Sequence, residues 1–296
     1  METRESAEAS LSSYLKRFTN NTDSVLSLWN EQCPRVRCER CHASRYLYCS
    51  ECLSILIDTV HWPTAISSGS LRLPFALDVI LADRRSSSTG IQLITVLRAS
   101  ESVNSGKFDP SNSENKAGEI KLPEEQVRLF DVELGDSLPC YETESEQTFL
   151  LFPCETSVSL SEAVRAGPIR RLVVLDCKWR KSSIRDHPSL KALRKVHLDN
   201  PPNESFYWRW HNKGAGMLST VEAVYYAAWQ MLGANKQEER KCLVELFWLF
   251  ALQRDIIQKR YETGDLVNFE RPIPFSKEGK ESNRALRRQR QSDDFS

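Results

Sequence analysis

Four cysteines near the N-terminus constrain the fold of this chain more than any other feature. They follow the pattern Cys38-x2-Cys41-x7-Cys49-x2-Cys52. Each Cys-x2-Cys pair is typical of a knuckle, a tight turn that directs two thiolates at one metal ion, and two knuckles complete a tetrahedral site. Because four protein ligands leave no position for water, the pattern predicts a structural zinc ion in a compact ribbon, with residues 46–48 as its strand. A chance cluster of reduced core cysteines is the alternative.

The composition predicts a soluble chain with a hydrophobic core of its own. Its 296 residues are 40% hydrophobic, enough for a sizeable core, and no run approaches the roughly 18 consecutive apolar residues of a membrane span. The N-terminus lacks the basic-then-apolar pattern of a signal peptide. Nine cysteines, an odd number, favour free thiols in a reducing compartment. We expect a soluble monomer in the cytoplasm and/or the nucleus, with no membrane partner.

The charge is balanced overall but distributed unevenly. The formal net charge is zero, yet residues 101–155 carry 13 acidic and 4 basic side chains, whereas residues 170–195 carry 9 basic and 2 acidic ones. A concentrated basic segment is the electrostatic footprint expected for phosphate binding. A solvated helix face that is balanced elsewhere in the fold is an equally good interpretation.

The sequence divides into four predicted regions: a flexible N-terminus (1–32), the zinc ribbon (33–60), a main domain (61–270) and a charged, disordered tail (271–296). Within the first region, Leu11, Tyr14 and Leu15 hint at a short helix. Residues 100–120 have almost no apolar content, so we expect a flexible insertion there. The main domain should therefore be interrupted once.

Strand and helix signals alternate along the main domain, which predicts an open α/β fold with a parallel sheet. The predicted strands cover residues 71–81, 91–97, 148–152 and 171–175. The last is apolar at consecutive positions, as parallel strands buried on both faces are. One predicted helix begins at the capping box of Ser219 and Glu222 and ends near residue 232. Another covers residues 241–259 and is nearly apolar all round, which predicts deep burial.

Asp176 lies at the carboxyl end of the buried strand, where open α/β sheets place their ligand sites. Trp179 follows, with a basic fringe of Lys178, Arg180 and Lys181 around it. A carboxylate, a large aromatic ring and nearby cations would suit a nucleobase and its phosphates. Alternatively, Asp176 caps a helix that begins near residue 179.

The Ser219 capping box has two interpretations. It follows the flexible segment from Lys213 to Gly216, and a helix N-terminus with free backbone N–H groups is an anion site. Ordinary helix capping is the alternative. Phe152-Pro153 either forms an apolar wall of a ligand site or only ends a strand. The aromatic segment around Arg209 suits either base stacking or a core strand.

Four sequence blocks occur in a characteristic order: residues 37–52, Leu151-Phe152-Pro153, Leu175-Asp176-Cys177-Lys178-Trp179, and Leu218-Ser219-Thr220-Val221-Glu222-Ala223-Val224-Tyr225-Tyr226. Together they resemble the DTW-domain family of tRNA-uridine aminocarboxypropyltransferases, and in particular its type-1 eukaryotic branch. That family is related to the SPOUT methyltransferases. The resemblance therefore implies a SPOUT-like sheet with a knotted cofactor site, a feature that chain-pattern arguments alone would not propose.

The resemblance also implies a reaction and a set of site residues. N3 of a tRNA uridine would attack the γ-carbon of the methionine moiety of S-adenosylmethionine, giving acp3U and methylthioadenosine. Asp176 would be the base, and Trp179 would pack on the adenosyl group or the uracil. The cofactor would be bound by the N–H groups of Ser219 and Thr220 and by the apolar residues Leu151, Phe152, Pro153, Leu175 and Leu218. RNA would contact the basic side chains Lys178, Arg180, Lys181, Arg209 and Lys213.

The chain departs from the family motif at one position, because Lys178 replaces a threonine between Asp176 and Trp179. A cation there would hold Asp176 ionised and depress its pKa, which would weaken it as a base. Contact with a phosphate is the other interpretation of Lys178. Two further function classes stay open: a zinc-dependent tRNA-binding protein with impaired catalysis, and an RNA methyltransferase on the same scaffold.

Overall fold

The N-terminal segment forms a helix, α1, from Arg4 to Thr19. The computed structural model describes residues 4–19, 35–105, 126–141, 146–178, 182–207 and 217–262. In α1, Leu11 is fully buried, and the backbone carbonyl of Ala7 accepts a hydrogen bond of 3.0 Å from the Tyr225 hydroxyl. The short helix suggested by Leu11, Tyr14 and Leu15 is confirmed. The prediction of a flexible N-terminus is wrong for residues 4–19, because the apolar stripe of α1 packs on the core of the main domain.

The cysteine-rich region consists of two small antiparallel hairpins. The first pairs β1 (Val36–Arg37) with β2 (Ser44–Arg45), and the second pairs β3 (Tyr48–Cys49) with β4 (Ser54–Ile55). The ribbon strand predicted for residues 46–48 is thus misplaced. Tyr46 and Leu47 form the bend between the hairpins, since each hairpin encloses one knuckle.

A six-stranded parallel sheet follows the ribbon. Its strands are β5 (Ala76–Ala82), β6 (Val127–Asp131), β7 (Thr148–Leu151), β8 (Val158–Ser159), β9 (Arg171–Cys177) and β10 (Arg194–His197). Their order is β6-β5-β9-β7-β10-β8, and every neighbouring pair is parallel. The predicted α/β fold with an open parallel sheet is confirmed. Because β9 is inserted between β5 and β7, its carboxyl end lies at the middle of one edge of the sheet.

The helices pack around this sheet. They are α2 (Thr64–Ser67), α3 (Thr89–Asn104), α4 (Leu160–Ala166), α5 (Pro188–Lys191), α6 (Thr220–Met231), α7 (Gln237–Leu243) and α8 (Trp248–Glu262). Short 3-10 turns cover Thr59–His61, Arg85–Ser87, Val132–Leu134, Ser182–Asp186, Ala234–Lys236 and Val244–Phe247. The last of these interrupts the single helix predicted over residues 241–259.

Residues 91–97, predicted as a strand, belong to the helix α3. Ser88 begins this helix, because its hydroxyl oxygen accepts the backbone N–H of Ile91 at 2.9 Å. Every residue from Thr89 to Leu97 is buried. A helix that is buried on all sides has consecutive apolar residues, as a buried strand does, so the two cannot be separated by periodicity. The helix continues to Asn104, so the first part of the predicted flexible insertion is also helical.

The two faces of the sheet have separate cores. The larger core includes Leu77, Val79, Leu172 and Val174, and α3, α6 and α8 contribute to it. The smaller one lies on the opposite face and includes Ile80, Leu150 and Val173. Side chains alternate between the faces along each strand, so the face of a residue follows from its position in the strand. This alternation decides which of the predicted site residues lie together.

On the face of the sheet that carries the smaller core, a cluster of charged side chains links the edge strand β6 to its neighbours. The fully buried carboxylate of Asp78 accepts two hydrogen bonds from Arg128, at 2.8 and 2.7 Å, and one from Arg171 at 2.8 Å. The Tyr141 hydroxyl also donates to it, at 2.8 Å. Each carboxylate oxygen therefore has strong partners, as a buried charge requires.

Candidate functional site

The carboxylate of Asp176 joins three elements at the carboxyl edge of the sheet. Asp176 is the penultimate residue of β9 and pairs in register with Leu81 of β5. Its Oδ2 accepts the Ser88 hydroxyl at 2.8 Å and the backbone N–H of Gly90 at 2.6 Å, both at the start of α3. The Thr220 side chain, in the first turn of α6, also hydrogen-bonds to it.

Asp176 therefore acts as a cap, but for another helix than the one predicted. The sequence favoured a helix beginning near residue 179, whereas the carboxylate satisfies a backbone N–H group in the first turn of α3. Carboxylates at helix N-termini are stabilised by the unpaired N–H groups and the helix dipole. The close approach requires glycine at position 90, because a Cβ there would overlap Oδ2 of Asp176.

The pKa of Asp176 is raised. Burial is the main cause; hydrogen bonds from Ser88, Gly90 and Thr220 lower the pKa in part, and the nearby charge of Asp83 raises it. The side chain of Lys178 is 57% exposed, and its Nζ lies 3.4 Å from Oδ1 of Asp83. The prediction that Lys178 depresses the pKa of Asp176 is therefore wrong, because this cation pairs with Asp83 and the carboxyl of Asp176 is shielded from water.

Glu222 occupies the N-terminus of α6 and confirms the predicted capping box. It is fully buried, and its carboxylate accepts the backbone N–H of Ser219 at 2.8 Å, the backbone N–H of Phe206 at 2.6 Å and the Ser205 hydroxyl at 2.6 Å. Burial raises the pKa of Glu222, and these bonds lower it in part.

This network contradicts one predicted role. The N–H of Ser219 was expected to bind a cofactor carboxylate, but it already donates to Glu222. The carboxylate of Glu222 would also repel a second anion at the same donor. Thr220, half-buried at the first position of α6, lies beside Asp176, and the predicted binding of a cofactor carboxylate by its N–H group stays a prediction.

The apolar residues predicted to line the cofactor site divide between the two faces of the sheet. Leu151 and Leu218 pack against the larger core, on the face where Asp176 meets α3 and α6. Phe152 and Leu175 pack against the smaller core on the other face. The Arg185 guanidinium lies 5.1 Å from the centroid of the Phe152 ring. Pro153 is exposed. The structure therefore brings together only part of the predicted set.

Five of the predicted residues, Trp179, Arg180, Lys181, Arg209 and Lys213, lie outside the described residues. Two residues beside Asp176, Ser88 and Gly90, were not predicted as part of the site. A signal was available, because Ser-Thr-Gly directly before an apolar run is typical of a helix N-terminus.

The four cysteines of the pattern meet at one point, and their ligand atoms all lie within 4.8 Å of one another. Sγ of Cys41 and Sγ of Cys49 are 3.4 Å apart. Four sulfurs at about 2.3 Å from one tetrahedral ion would be separated by roughly 3.8 Å. The observed cluster therefore has the dimensions of a four-thiolate metal site.

The two knuckles are equivalent in detail. Backbone hydrogen bonds from Arg40 and Cys41 reach the Cys38 sulfur, and those from Glu51 and Cys52 reach the Cys49 sulfur. The residue after each second cysteine, His42 or Leu53, has a positive φ, 57° and 53° respectively. A non-glycine residue in this left-handed region is uncommon and strained. Its repetition at the same position indicates that the sulfur cluster dictates both turns.

The thiols also have the electrostatics of a cation site. Burial and the neighbouring thiols of Cys41 and Cys38 raise the pKa of Cys52 to about 12. For Cys38, backbone hydrogen bonds from Cys41 and Arg40 outweigh burial and lower the pKa to about 6. Without a cation the cluster resists a second thiolate, whereas a divalent ion stabilises several of them. The donor set therefore fits a structural metal ion.

The ribbon is fastened to the elements that surround Asp176. Tyr48, in β3, is buried, and its hydroxyl donates to Oε1 of Gln253 at 3.4 Å; Gln92 of α3 donates to the same oxygen. Glu51 lies 3.7 Å from Arg85, in the turn that precedes α3. Burial chiefly raises the pKa of Tyr48 to about 12, and the charge of Asp176 contributes. The inner side of the ribbon thus adjoins the candidate site.

A match to a protein-family model shows which family this chain belongs to. The model of the DTW domain matches residues 83–254, which contain Asp176, Gly90, Glu222 and most of the sheet. This chain belongs to the DTW family. The cysteine ribbon and strand β5 both precede the matched region.

Two curated proteins named tRNA-uridine aminocarboxypropyltransferase 1 are similar to this DTW protein. The Mus musculus protein is 26% identical over 217 residues, covering 66% of this chain and 68% of the relative. The Rattus norvegicus protein is 24% identical over 262 residues, covering 82% and 83%. No solved structure matches the chain. Among the described residues, no helix is long and apolar enough to cross a membrane.

Proposed function

We propose that this DTW protein modifies tRNA by transferring the 3-amino-3-carboxypropyl group of S-adenosylmethionine to N3 of a uridine. The observation that carries the proposal is the buried carboxylate of Asp176 at the carboxyl edge of the sheet, within the region that matches the DTW domain. The two type-1 relatives bear the name of this activity. A SPOUT-like knot in the sheet and zinc as the ribbon metal are parts of the same proposal.

Asp176 is proposed as the group that receives the N3 proton. The imide proton of uracil is weakly acidic, so a base at hydrogen-bond distance assists its removal. Burial raises the pKa of Asp176 and so makes its carboxylate a stronger base. Hydrogen bonds from Ser88 and Gly90 engage Oδ2 and hold the carboxylate in one orientation. We propose that Oδ1 accepts the proton.

S-adenosylmethionine, as the donor, supplies an electrophilic γ-carbon beside a sulfonium leaving group. The bond from N3 to that carbon forms as the carbon–sulfur bond breaks, and methylthioadenosine leaves with the electron pair. The half-buried Leu151 and Leu218 lie on the same sheet face as Asp176 and offer an apolar surface to the donor. The backbone N–H of Thr220, at the N-terminus of α6, is proposed to bind the methionine carboxylate of the donor.

We propose that tRNA phosphates are contacted by the basic residues Lys178, Arg180, Lys181, Arg209 and Lys213. Trp179 is proposed to pack on the adenosyl group or the uracil. Phosphate contacts position a nucleic acid without reading its sequence. Lys178 is suited to this role, because its side chain is largely exposed next to the site.

The test is mass spectrometry of tRNA nucleosides from cells that lack the protein. We expect acp3U to be lost and to return with the wild-type protein but not with Asp176→Asn. In vitro, donor labelled in its methyl group should leave the label on methylthioadenosine. Label in the tRNA would identify a methyltransferase instead, and tRNA binding without methylthioadenosine release would identify a non-catalytic RNA-binding protein.

A further inference from the structure

The first ribbon hairpin has two chemically different faces. Val36 pairs with Arg45, and Arg37 pairs with Ser44. Arg37 and Ser44 are cross-strand partners and share one face. Arg35 contacts Ser44 and the Tyr46 ring, which assigns Arg35 and Tyr46 to the same face. Arg45 lies on the other face, where its guanidinium is 3.8 Å from Glu51. The face with Arg35, Arg37 and Tyr46 is called the outer face below.

The outer face presents a cation stacked on an aromatic ring. The Arg35 guanidinium lies 4.9 Å from the centroid of the Tyr46 ring, and Tyr46 is 40% exposed. Arg35 is held there by hydrogen bonds of 3.0 Å to Oγ and 2.7 Å to the carbonyl oxygen of Ser44. A guanidinium and ring fixed in this way are preorganised for stacking on a base.

The charge of the outer face is not neutralised within the described part of the chain. Among the described residues, the ion pairs of the ribbon join Arg45 and Arg85 to Glu51, and none joins Arg35 or Arg37 to a carboxylate. Both Arg35 and Arg37 are exposed. Unpaired arginines beside an exposed aromatic ring complement a polyanion that carries flat bases, which describes RNA better than an acidic protein surface.

The ribbon also lies next to the elements that surround Asp176. On its inner side Tyr48 donates to Gln253 of α8 and is hydrogen-bonded to Gln92 of α3. Glu51 reaches Arg85, three residues before the Ser88 that donates to Asp176. An RNA strand with its uridine at Asp176 would therefore be close to the ribbon.

We propose that the outer face of the ribbon, formed by Arg35, Arg37 and Tyr46, binds the substrate tRNA through a phosphate and an unpaired base. This inference rests on the proposed function, since it takes tRNA as the substrate. It assigns two roles to the metal-binding ribbon: its buried side packs on the main domain, and its outer face binds RNA.

The experiment measures tRNA binding and aminocarboxypropyl transfer for Arg37→Ala and Tyr46→Ala in the full-length, metal-loaded protein. Arg35 is left unchanged because it supports the hairpin through Ser44. Tyr46→Ala should weaken binding by roughly tenfold, the loss expected for one stacked base. Arg37→Ala should reduce the slope of log affinity against log salt by about 1, the value for one phosphate contact.

Matched controls separate these effects from damage to the fold. Tyr46→Phe retains the ring and should bind like the wild type. Arg165→Ala removes an exposed arginine of α4, which follows the edge strand β8, and should also have no effect. Metal content is measured for every variant, and Arg37→Gln replaces Arg37→Ala if the latter loses metal. In transfer, KM for tRNA should rise while kcat at saturating tRNA stays unchanged.

The outcomes distinguish this inference from the proposed function. Metal-loaded variants that bind tRNA as tightly as the wild type would overturn the inference and leave the transferase proposal standing. Ribbon-dependent tRNA binding without any transfer by the wild type would overturn the proposed function and support the inference. A wild-type protein that binds no tRNA would overturn both.

Discussion

The backbone N–H of Gly90 donates to Oδ2 of Asp176 across 2.6 Å, although the two residues are 86 positions apart in the chain. This contact fastens the beginning of α3 to the end of β9. It places the carboxylate at the helix N-terminus, where the unpaired N–H groups favour negative charge. The proposed base and its orientation therefore depend on a residue without a side chain.

Gly90→Ala should damage the site. A Cβ at position 90 would overlap Oδ2 of Asp176 and lie 3.0 Å from Cγ1 of Val79, so either the hydrogen bond breaks or the helix shifts. We expect the free energy of unfolding to fall by about 1–3 kcal/mol and transfer activity to be lost. Gly167→Ala is the control, since a Cβ there meets nothing within 4 Å. Equal effects of the two substitutions in urea denaturation would contradict the packing argument.

Asp176→Asn should separate stability from activity. The folded-state pKa of Asp176 is raised above its unfolded value, so the folded protein takes up a proton first as the pH falls. The wild type therefore gains stability relative to the asparagine variant between neutral pH and the usual range of a carboxyl group. We expect urea denaturation at pH 8 and pH 5.5 to show this change, with transfer absent in the variant at both.

The opposite pH trend would mean that the pKa of Asp176 is depressed, as Lys178 would make it.

Lys178→Thr tests directly whether Lys178 lowers the pKa of Asp176. Because Lys178 is largely exposed and pairs with Asp83, its loss should change the free energy of unfolding by less than about 0.5 kcal/mol. The midpoint of the pH–rate profile should not move. A shift of that midpoint to higher pH would show that Lys178 acts on Asp176.

Glu222→Gln should weaken the start of α6. The substitution replaces one carboxylate oxygen, which accepts N–H or O–H donors, by an amide NH2 group, which itself donates. At least one buried donor would therefore lose its partner. We expect a loss of about 2–3 kcal/mol in the free energy of unfolding. Glu238→Gln, at an exposed glutamate paired with Lys241, should change it by less than about 0.5 kcal/mol.

Metal removal should affect more than the ribbon. Cys49 is fully buried and Tyr48 beside it packs on the main domain, so loss of the metal should also lower the melting temperature of the domain. Cys49→Ser should abolish zinc binding, as measured by elemental analysis. Cys140→Ser, at an exposed cysteine outside the cluster, should retain one zinc per chain. A metal-free wild type with an unchanged melting temperature would rule out the structural site.

Several features follow from the sequence alone because they depend on short spacings. The two Cys-x2-Cys pairs, the buried strand that contains Asp176 and the capping box at Ser219 each lie within a short segment of the chain, and the structure contains all three. The motifs that resemble the DTW family are local in the same sense. The alternation of strand and helix signals along the chain was sufficient to predict the α/β class with a parallel sheet.

Other features required the tertiary structure. Whether residues 91–97 form a strand or a helix depends on burial from all sides, which periodicity does not report. The same burial against α6 and α8 makes α1 an ordered part of the core. The two sheet faces separate Leu151 from Phe152, although these residues are adjacent in the chain.

Asp176 shows most clearly which properties local sequence determines and which depend on the tertiary structure. Its position at the end of a buried strand was determined by local sequence, and so was its suitability as a cap or a base. Its partners Ser88 and Gly90 lie 88 and 86 positions away, and only the insertion of β9 beside β5 brings them to it. Burial then sets the direction of its pKa and leaves Lys178 to pair with Asp83, because desolvation depends on every element packed around the carboxylate.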